Sequence, residues 1–517
     1  FYYNFIYMKK LFIALITALA LFLPYKNLYA QEIQLKGAVV TSKEAKKPFA
    51  GDVYAIIMGV STYPGIFPLK YADKDARLFS NFLKTPSGGN ATSENILCLI
   101  NDSATAANFN VKGYRWLKKK NLKKGDRLYI YFSGHGDAMN EDNDFYLPFD
   151  CMPGNDDNNY LGTGNINMHT VKTLFIKPEV AKGVEVLLIL DACRSNELPG
   201  GAAGQQGFSS YISEEKQGEI MLLSTGAGQV SIESSTIGNG HGLFTYYLVD
   251  GLAGVADKEG DNADNDGVVS LAEIAGYVKS KVKKIAREKF NTVQIPFYCC
   301  ADKDLQTIAT IDSSTLKSWL LAKNLQQQND DDNLFAVNNK KIGEKGINIK
   351  IPEDPELVSL YNKFTASLTT TLTGENSAEY FYGLMAKKWP NNSITEDARY
   401  SLASELINFG QKKINLFLNG KGLSHLLNME KTLQSDSLNV ESEELNQQIK
   451  RYKTIVTANY EEAAKNMQKA FTLLSDEPDL LTSVKPKLYF LETMAAYYEK
   501  KSPLAEVMQK AQKAINY

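Results

Sequence analysis

The chain has 517 residues and a mass of 57.5 kDa, room for about three structural units at roughly 150 residues each, and its 44% hydrophobic and 22% charged residues exclude a natively disordered chain. Lys and Arg (57) nearly balance Asp and Glu (59), so the net charge of -2 lacks the basic excess of a nucleic-acid-binding surface. Five Cys are too few for a disulfide scaffold, their odd number leaves at least one thiol unpaired within a monomer, and four His (His135, His169, His241, His425) bound any imidazole chemistry.

At the N-terminus Lys9 and Lys10 precede an apolar run from Leu11 to Leu23, and Ala30 closes the segment. This three-part layout predicts a secretory signal peptide over residues 1–30, with Met8 as the true start, Phe1 to Tyr7 as translated upstream sequence and Gln31 opening the mature chain. Export to the periplasm, cell surface or medium follows, and a membrane enters only if the segment stays uncleaved as an anchor. Residues 31–51 form a short N-terminal segment.

From Asp52 to Cys300 short apolar runs alternate with helical patterns: Val53 to Val60, Arg127 to Phe132, Glu185 to Leu190 and Glu219 to Ser224 read as strands covered on both faces. Strands separated by helices predict a mainly parallel α/β sheet. After the first strand, Ala76, Phe79, Phe82 and Leu83 recur at helical spacing, with Asp73 or a neighbour as the cap. Residues 301–352, polar and carrying Gln326 to Asn333, read as a linker. Residues 353–517 read as helical: Tyr460, Ala463, Ala464, Met467, Ala470, Phe471 and Leu474 make one amphipathic helix, Lys487 to Glu499 a second, and a third starts at Pro503. Ala505, Met508 to Ala511 and Ile515 echo Ala464, Met467 to Ala470 and Leu474 at an offset of 41 residues, which fits either a tetratricopeptide-like repeat or a plain bundle.

Two predicted strand ends carry chemistry. One leads into Ser133-Gly134-His135-Gly136-Asp137 and the other into Asp191-Ala192-Cys193-Arg194-Ser195. Ligands of an open parallel sheet bind outside the carboxyl ends of its strands, so a thiol nucleophile, Cys193, and its proton partner, His135, are expected at one edge. Glycines beside His135 suit an oxyanion site to which the amides of Gly136 and Cys193 contribute. Cys98 reads as core, Cys151 as part of a polar region, and Cys299 and Cys300 as the close of the last strand, with no zinc spacing among them. His169 and His425 carry no expected chemistry, and His241 reads as framework ahead of a helix.

Ser133-Gly134-His135-Gly136 and Asp191-Ala192-Cys193 together resemble the catalytic dyad of the caspase-like cysteine peptidases, in particular bacterial relatives of metacaspases. Ala55 to Val60 with Tyr63, Asp75-Ala76 and Gly242 to Leu248 match the same framework, so the likeness spans Asp52 to Cys300. It implies a three-layer αβα sandwich with a mainly parallel sheet, joined to a C-terminal all-α, helical-repeat-like domain. It implies a cysteine endopeptidase in which Cys193 attacks as a thiolate, His135 protonates the leaving amine and water hydrolyses the thioester. By the same likeness Asp191, Asp75 and Ser133 form an acidic pocket that selects Arg or Lys before the cut. The sequence departs from the metacaspase pattern at Arg194, where His is usual.

Residues 262–273 fit the twelve-residue calcium loop: Asn262, Asp264, Asp266, the Val268 carbonyl, Ser270 through water and Glu273 as oxygen ligands, with Gly267 at the sharp turn. Asn262 stands where Asp is usual, and Asp257, Glu259 and Asp261 lie nearby. The combined expectation is an exported cysteine endopeptidase acting on proteins or peptides with basic cleavage sites, stabilised or activated by calcium, without an organic cofactor or nucleic-acid partner, and with a protein partner for the helical domain. The competing expectations are a catalytically silent, calcium-binding scaffold of the same fold, and a helical half that is the functional part with the peptidase as its activator.

Overall fold

Strands that are apolar on both faces must be covered on both, and each face here has its own cover. The computed structural model describes residues 49–140, 143–154, 159–160, 162–193, 219–226, 229–299, 304, 306–325, 354–418 and 459–499. The strand-rich part runs β1 (Val53–Gly59), α1 (Ala72–Leu83), β2 (Ile96–Ile100), α2 (Tyr114–Lys120), β3 (Arg127–Asn140), β4 (Asn143–Leu147), β5 (Ile166–Asn167), β6 (Glu185–Cys193) and β7 (Ile220–Leu223). It continues through β8 (Glu233–Ser234), β9 (His241–Gly242), α3 (Leu243–Asp250), β10 (Val268–Ser270), α4 (Leu271–Phe290), β11 (Phe297–Tyr298), β12 (Thr307–Thr310) and α5 (Ser313–Leu325). Helices follow: α6 (Pro355–Ser367), α7 (Ala378–Lys388), α8 (Ser393–Leu418), α9 over 459–473 and α10 (Pro478–Glu499). None of the described helices is long and apolar enough to cross a membrane.

The main sheet has the order β11-β7-β6-β3-β1-β2, with β4 and β5 added through β3. β1, β2, β3, β6 and β7 pair in parallel, and β11 lies antiparallel at the edge. Because strand side chains alternate between faces, Ala55, Ile57, Tyr129, Tyr131, Leu187 and Ile189 pack with α1, α3 and α4 in one cluster, while Ile56, Met58, Ile130, Phe132, Leu188 and Leu190 enter a second cluster on the other face. The expected three-layer αβα arrangement with a mainly parallel sheet is the one observed.

Several expectations are corrected. β3 and β6 do not end ahead of the two motifs but run through them to Asn140 and Cys193, because β4 pairs antiparallel with the extension of β3 and satisfies its backbone. Asp73 does not cap α1; it lies inside the helix, its N–H donates to the Ser61 hydroxyl at 2.9 Å, and that hydroxyl donates back to its carboxylate at 2.6 Å. Part of the expected linker belongs to the sheet-bearing body: β12 pairs antiparallel with β10, and α5 buries Trp319 completely. The ladder and the indole were invisible to a composition-based reading. Residues 1–48, 326–353 and 500–517, which hold the signal peptide, most of the N-terminal segment, the rest of the linker, the third helix and the second half of the 41-residue echo, lie outside the described residues, as do Arg194 and His425.

The C-terminal helices lie against the sheet rather than apart from it. Leu357, Phe364, Leu402, Leu406, Met467 and Leu491 share one apolar cluster with Phe109, Phe132 and Leu190. The Ser404 hydroxyl donates to buried Asn108 Oδ1 at 2.8 Å, and Gln411 and Asn415 donate to the carbonyls of Gly162 and Asp150 at 2.8 and 2.6 Å. Around them Lys112 meets Glu405 at 2.7 Å, Arg115 meets Asp397 at 3.0 Å and Lys118 meets Glu477 at 2.9 Å. Such partly exposed pairs add little energy each, so the shared apolar cluster holds the parts together. Residues 49–499 should therefore melt in one transition, and Leu406→Ala should cost about 2–5 kcal/mol across it. Two separate transitions by calorimetry, with Leu406→Ala moving only one, would contradict the shared core.

Candidate active site

The parallel ladder between β3 and β6 runs in register from Arg127↔Glu185 to His135↔Cys193, so backbone pairing alone puts the two chemical residues side by side. Two residues earlier on the same strands, Ser133 stands opposite Asp191. Glycine is required at 134 by close approach: a Cβ there would lie 2.8 Å from the hydroxyl oxygens of both Tyr63 and Tyr146. Those hydroxyls hold the strand, since the His135 N–H donates to Tyr63 Oη at 3.0 Å, the Tyr63 hydroxyl donates to the Leu147 carbonyl at 3.2 Å and the Tyr146 hydroxyl donates to the Ser133 carbonyl at 2.8 Å.

His135 is 5% exposed, and its Nε2 lies 2.9 Å from the Phe67 carbonyl. A carbonyl can only accept, so Nε2 carries the proton and Nδ1 keeps its lone pair. Burial lowers the imidazole from its ordinary range, opposed by the Phe67 bond. Cys98 and Cys151 are unsuited to attack, since burial pushes Cys98 up to about 11 and Cys151 well above the ordinary thiol range, and Cys299 is disulfide-bonded. Cys151, expected in a polar region, is fully buried beside Tyr160 and Leu147.

Asp75, Asp191 and Ser133 are all buried, at 2%, 6% and 2% exposure. Asp191 Oδ1 accepts from the Ser231 hydroxyl at 2.8 Å, and its Oδ2 accepts from the Thr245 hydroxyl at 2.6 Å and the Thr245 N–H at 3.3 Å. Asp75 accepts from His241 Nδ1 at 2.9 Å and from the Gly242 N–H at 3.0 Å. The two carboxylates converge on Gly242, where a Cβ would lie 2.7 Å from Asp75 Oδ2 and 2.9 Å from Asp191 Oδ2. Desolvation raises both carboxyls; Asp75 rises to about 6 against the pull of His241 and with the push of Asp191. A buried pair of this kind is stabilised by a cation reaching it.

Four oxygen-bearing side chains, Asp257, Asp264, Asp266 and Glu273, come within 4.8 Å of one another. Asp257 lies in this group from outside the twelve-residue loop, while the Asn262 amide donates to the Ala272 carbonyl at 3.0 Å. Gly267, at φ +90°, makes the turn that a side chain would strain. Val268 is buried in β10, and Ser270 caps α4: its hydroxyl accepts the Glu273 N–H and donates to Glu273 Oε2 at 2.6 Å. Desolvation, with the charges of Glu273 and Asp266, raises Asp257. The all-oxygen donor set fits a hard divalent cation such as calcium.

Sequence reasoning missed the Phe67 carbonyl, Thr245, Ser231 and His241. Only His241 had a readable signal, because Gly240-His241-Gly242 repeats the Gly-His-Gly of 134–136. In a histidine titration followed by NMR, His135 should turn over below the ordinary value of about 6.5; a midpoint above it would contradict a buried, neutral imidazole.

Comparison with known proteins places these observations. Residues 52–306 match the model of the caspase domain family. A probable protease from a Desulfuromonadales bacterium is 23% identical over 248 residues, covering 44% of this chain and 29% of that protein, so the match spans less than a third of that relative's length.

Proposed function

We propose, from the premise that residues 52–306 form a caspase domain, that the protein is an exported cysteine endopeptidase that cuts polypeptides after Arg or Lys. The observation that carries this reading is the in-register pairing of His135 with Cys193, two residues beyond Asp191, which forms with Asp75 of α1 a buried acid pair that is otherwise costly to maintain. His135 Nδ1 takes the Cys193 proton, the sulfur bonds to the scissile carbonyl carbon, and the amides of Gly136 and Cys193 face the developing oxyanion. His135 then gives the proton to the departing amine as the C–N bond breaks, leaving a thioester that water hydrolyses to an acid and the regenerated thiol. Asp75 and Asp191, with Ser133, receive the basic side chain. Cation compensation of desolvated carboxylates supports Arg and Lys over neutral residues.

Calcium fits the cluster of Asp257, Asp264, Asp266 and Glu273, where it would tie the turn before β10 to the start of α4. Export rests on Lys9, Lys10 and the apolar run to Leu23.

Cleavage of a mixed peptide library by the purified full chain tests the reading. Cys193→Ala and His135→Ala should each abolish cleavage without lowering the melting temperature, because the pair acts as a unit, and full activity in either variant would overturn the dyad. Asp191→Asn should raise KM for basic peptides, whereas a preference for Asp before the cut would contradict the acidic pocket. Calcium at a hundredfold excess over its Kd should stabilise the full chain by roughly 2.7 kcal/mol, and Asp257→Ala should remove that response while sparing cleavage chemistry. Identical melting with calcium and with chelator would reduce the cluster to a polar turn.

A further inference from the structure

The proposed mechanism leaves one buried imidazole without a task. His241 is 7% exposed in the two-residue strand β9. Its Nδ1 lies 2.9 Å from Asp75 Oδ1, and since a carboxylate only accepts, Nδ1 carries the proton. The ring is seated from several elements. Tyr246 of α3 stacks on it with centroids 6.2 Å apart, and the backbone that carries it is fixed by the pairing of β8 with β9. Gly240, just before it, admits no side chain because a Cβ would lie 2.5 Å from the Tyr71 ring.

The charges facing Asp75 are otherwise unfavourable or neutral. Asp191 of β6 approaches the same point above Gly242, Tyr131 of β3 lies in the field of both carboxylates, and Glu233 of β8 feels Asp191 while accepting the N–H groups of Lys70 and Tyr71 at 2.8 and 3.0 Å. Among the described residues, the carboxylate of Asp75 accepts from His241 Nδ1 and from the Gly242 N–H. A peptide N–H stays put whatever residue 241 is, so the side chain of His241 is the adjustable part of the arrangement.

We infer that His241 is a positioning residue of the basic-side-chain site, whose Nδ1–H bond keeps Asp75 ionised and aimed toward Gly242 so that an incoming guanidinium or ammonium finds a full negative charge. The inference rests on the reading of Asp75 and Asp191 as the receptor of a basic residue and adds the group that keeps that receptor charged. Burial raises Asp75 toward about 6 and the His241 bond opposes the rise. Loss of the bond therefore moves Asp75 further up. A protonated Asp75 carries no charge for Arg or Lys, so KM for a basic substrate rises as pH falls through the Asp75 midpoint, and removing His241 shifts that rise to higher pH.

The test compares KM and kcat from pH 5 to 8 for the full chain and two variants, using one fluorogenic peptide with Arg before the cut. In His241→Ala a climb of about one pH unit in the Asp75 midpoint gives a KM about fivefold higher at pH 6, with kcat held within about twofold. His241→Asn, whose amide N–H replaces the Nδ1 donor, should restore the KM profile. Should His241→Ala fail to fold by near-ultraviolet circular dichroism, His241→Met fills the volume without donating and takes its place. A KM profile in the non-donating variant that superimposes on the parent overturns the inference, as does a collapse of kcat with KM unmoved. Failure of the parent to cleave the Arg peptide, by contrast, strikes the underlying reading of the acid pair and is seen before any variant is made.

Discussion

The parallel pairing of β3 with β6 is the interaction on which the rest of the molecule depends. Nine consecutive residue pairs, from Arg127↔Glu185 to His135↔Cys193, fix the relative height of the two strands. Slippage by one residue would turn every side chain of one strand to the opposite face. It would exchange Tyr131 for Phe132 in the two clusters and part Ser133 from Asp191 at the same time. The ladder is also anchored at its foot, where the buried Arg127 guanidinium donates to the carbonyls of Ile308 and Thr307 at 2.5 and 2.6 Å and pairs with Glu185. Such a cation is tolerated inside because each of its three nitrogens finds an acceptor. It ties β12 to the base of the ladder whose other end carries the dyad.

At that other end the energetic balance reverses, and the fold maintains a concentration of negative charge rather than neutralising it. Asp75 and Asp191 are each surrounded by hydrogen-bond donors, which makes their burial tolerable without removing their charge. The five donor groups come from three places: the Ser231 hydroxyl, His241 and Gly242 of β9, and the hydroxyl and N–H of Thr245 in α3. Burying two carboxylates in this way costs folding free energy, which the surrounding donors offset. The face of the sheet opposite this cluster is covered by the C-terminal helices, so the acid pair and the helical packing occupy different sides of one β-layer.

Much of this was legible in the sequence for definite reasons. The continuous apolar runs of β1, β3 and β6 signalled doubly covered strands, and the short motifs around His135 and Cys193 marked the strand ends that the ladder brings side by side. Features set by long-range pairing were not legible. The extension of β3 depends on β4; β12 depends on β10 and on the acceptors it offers Arg127; α5 depends on the indole of Trp319 finding Asp250, to which it donates at 2.6 Å. The apolar stripe of α9 was visible, but the same pattern serves a helix packing on its own neighbours or on a sheet. Asp257 stands outside the twelve-residue pattern because it lies five positions before Asn262, and the backbone turn, held by the N–H groups of Asp266 and Gly267 on its carboxylate, brings it to the other carboxylates.

The most direct measurement is covalent labelling of the full chain with an electrophilic peptide probe that carries Arg at its reactive end, read by mass spectrometry against a matched probe carrying Asp. The account requires adduct formation at Cys193 with the Arg probe, little with the Asp probe, and loss of labelling in His135→Ala. Equal labelling by both probes, or an adduct on Cys98 or Cys151 in place of Cys193, would contradict it.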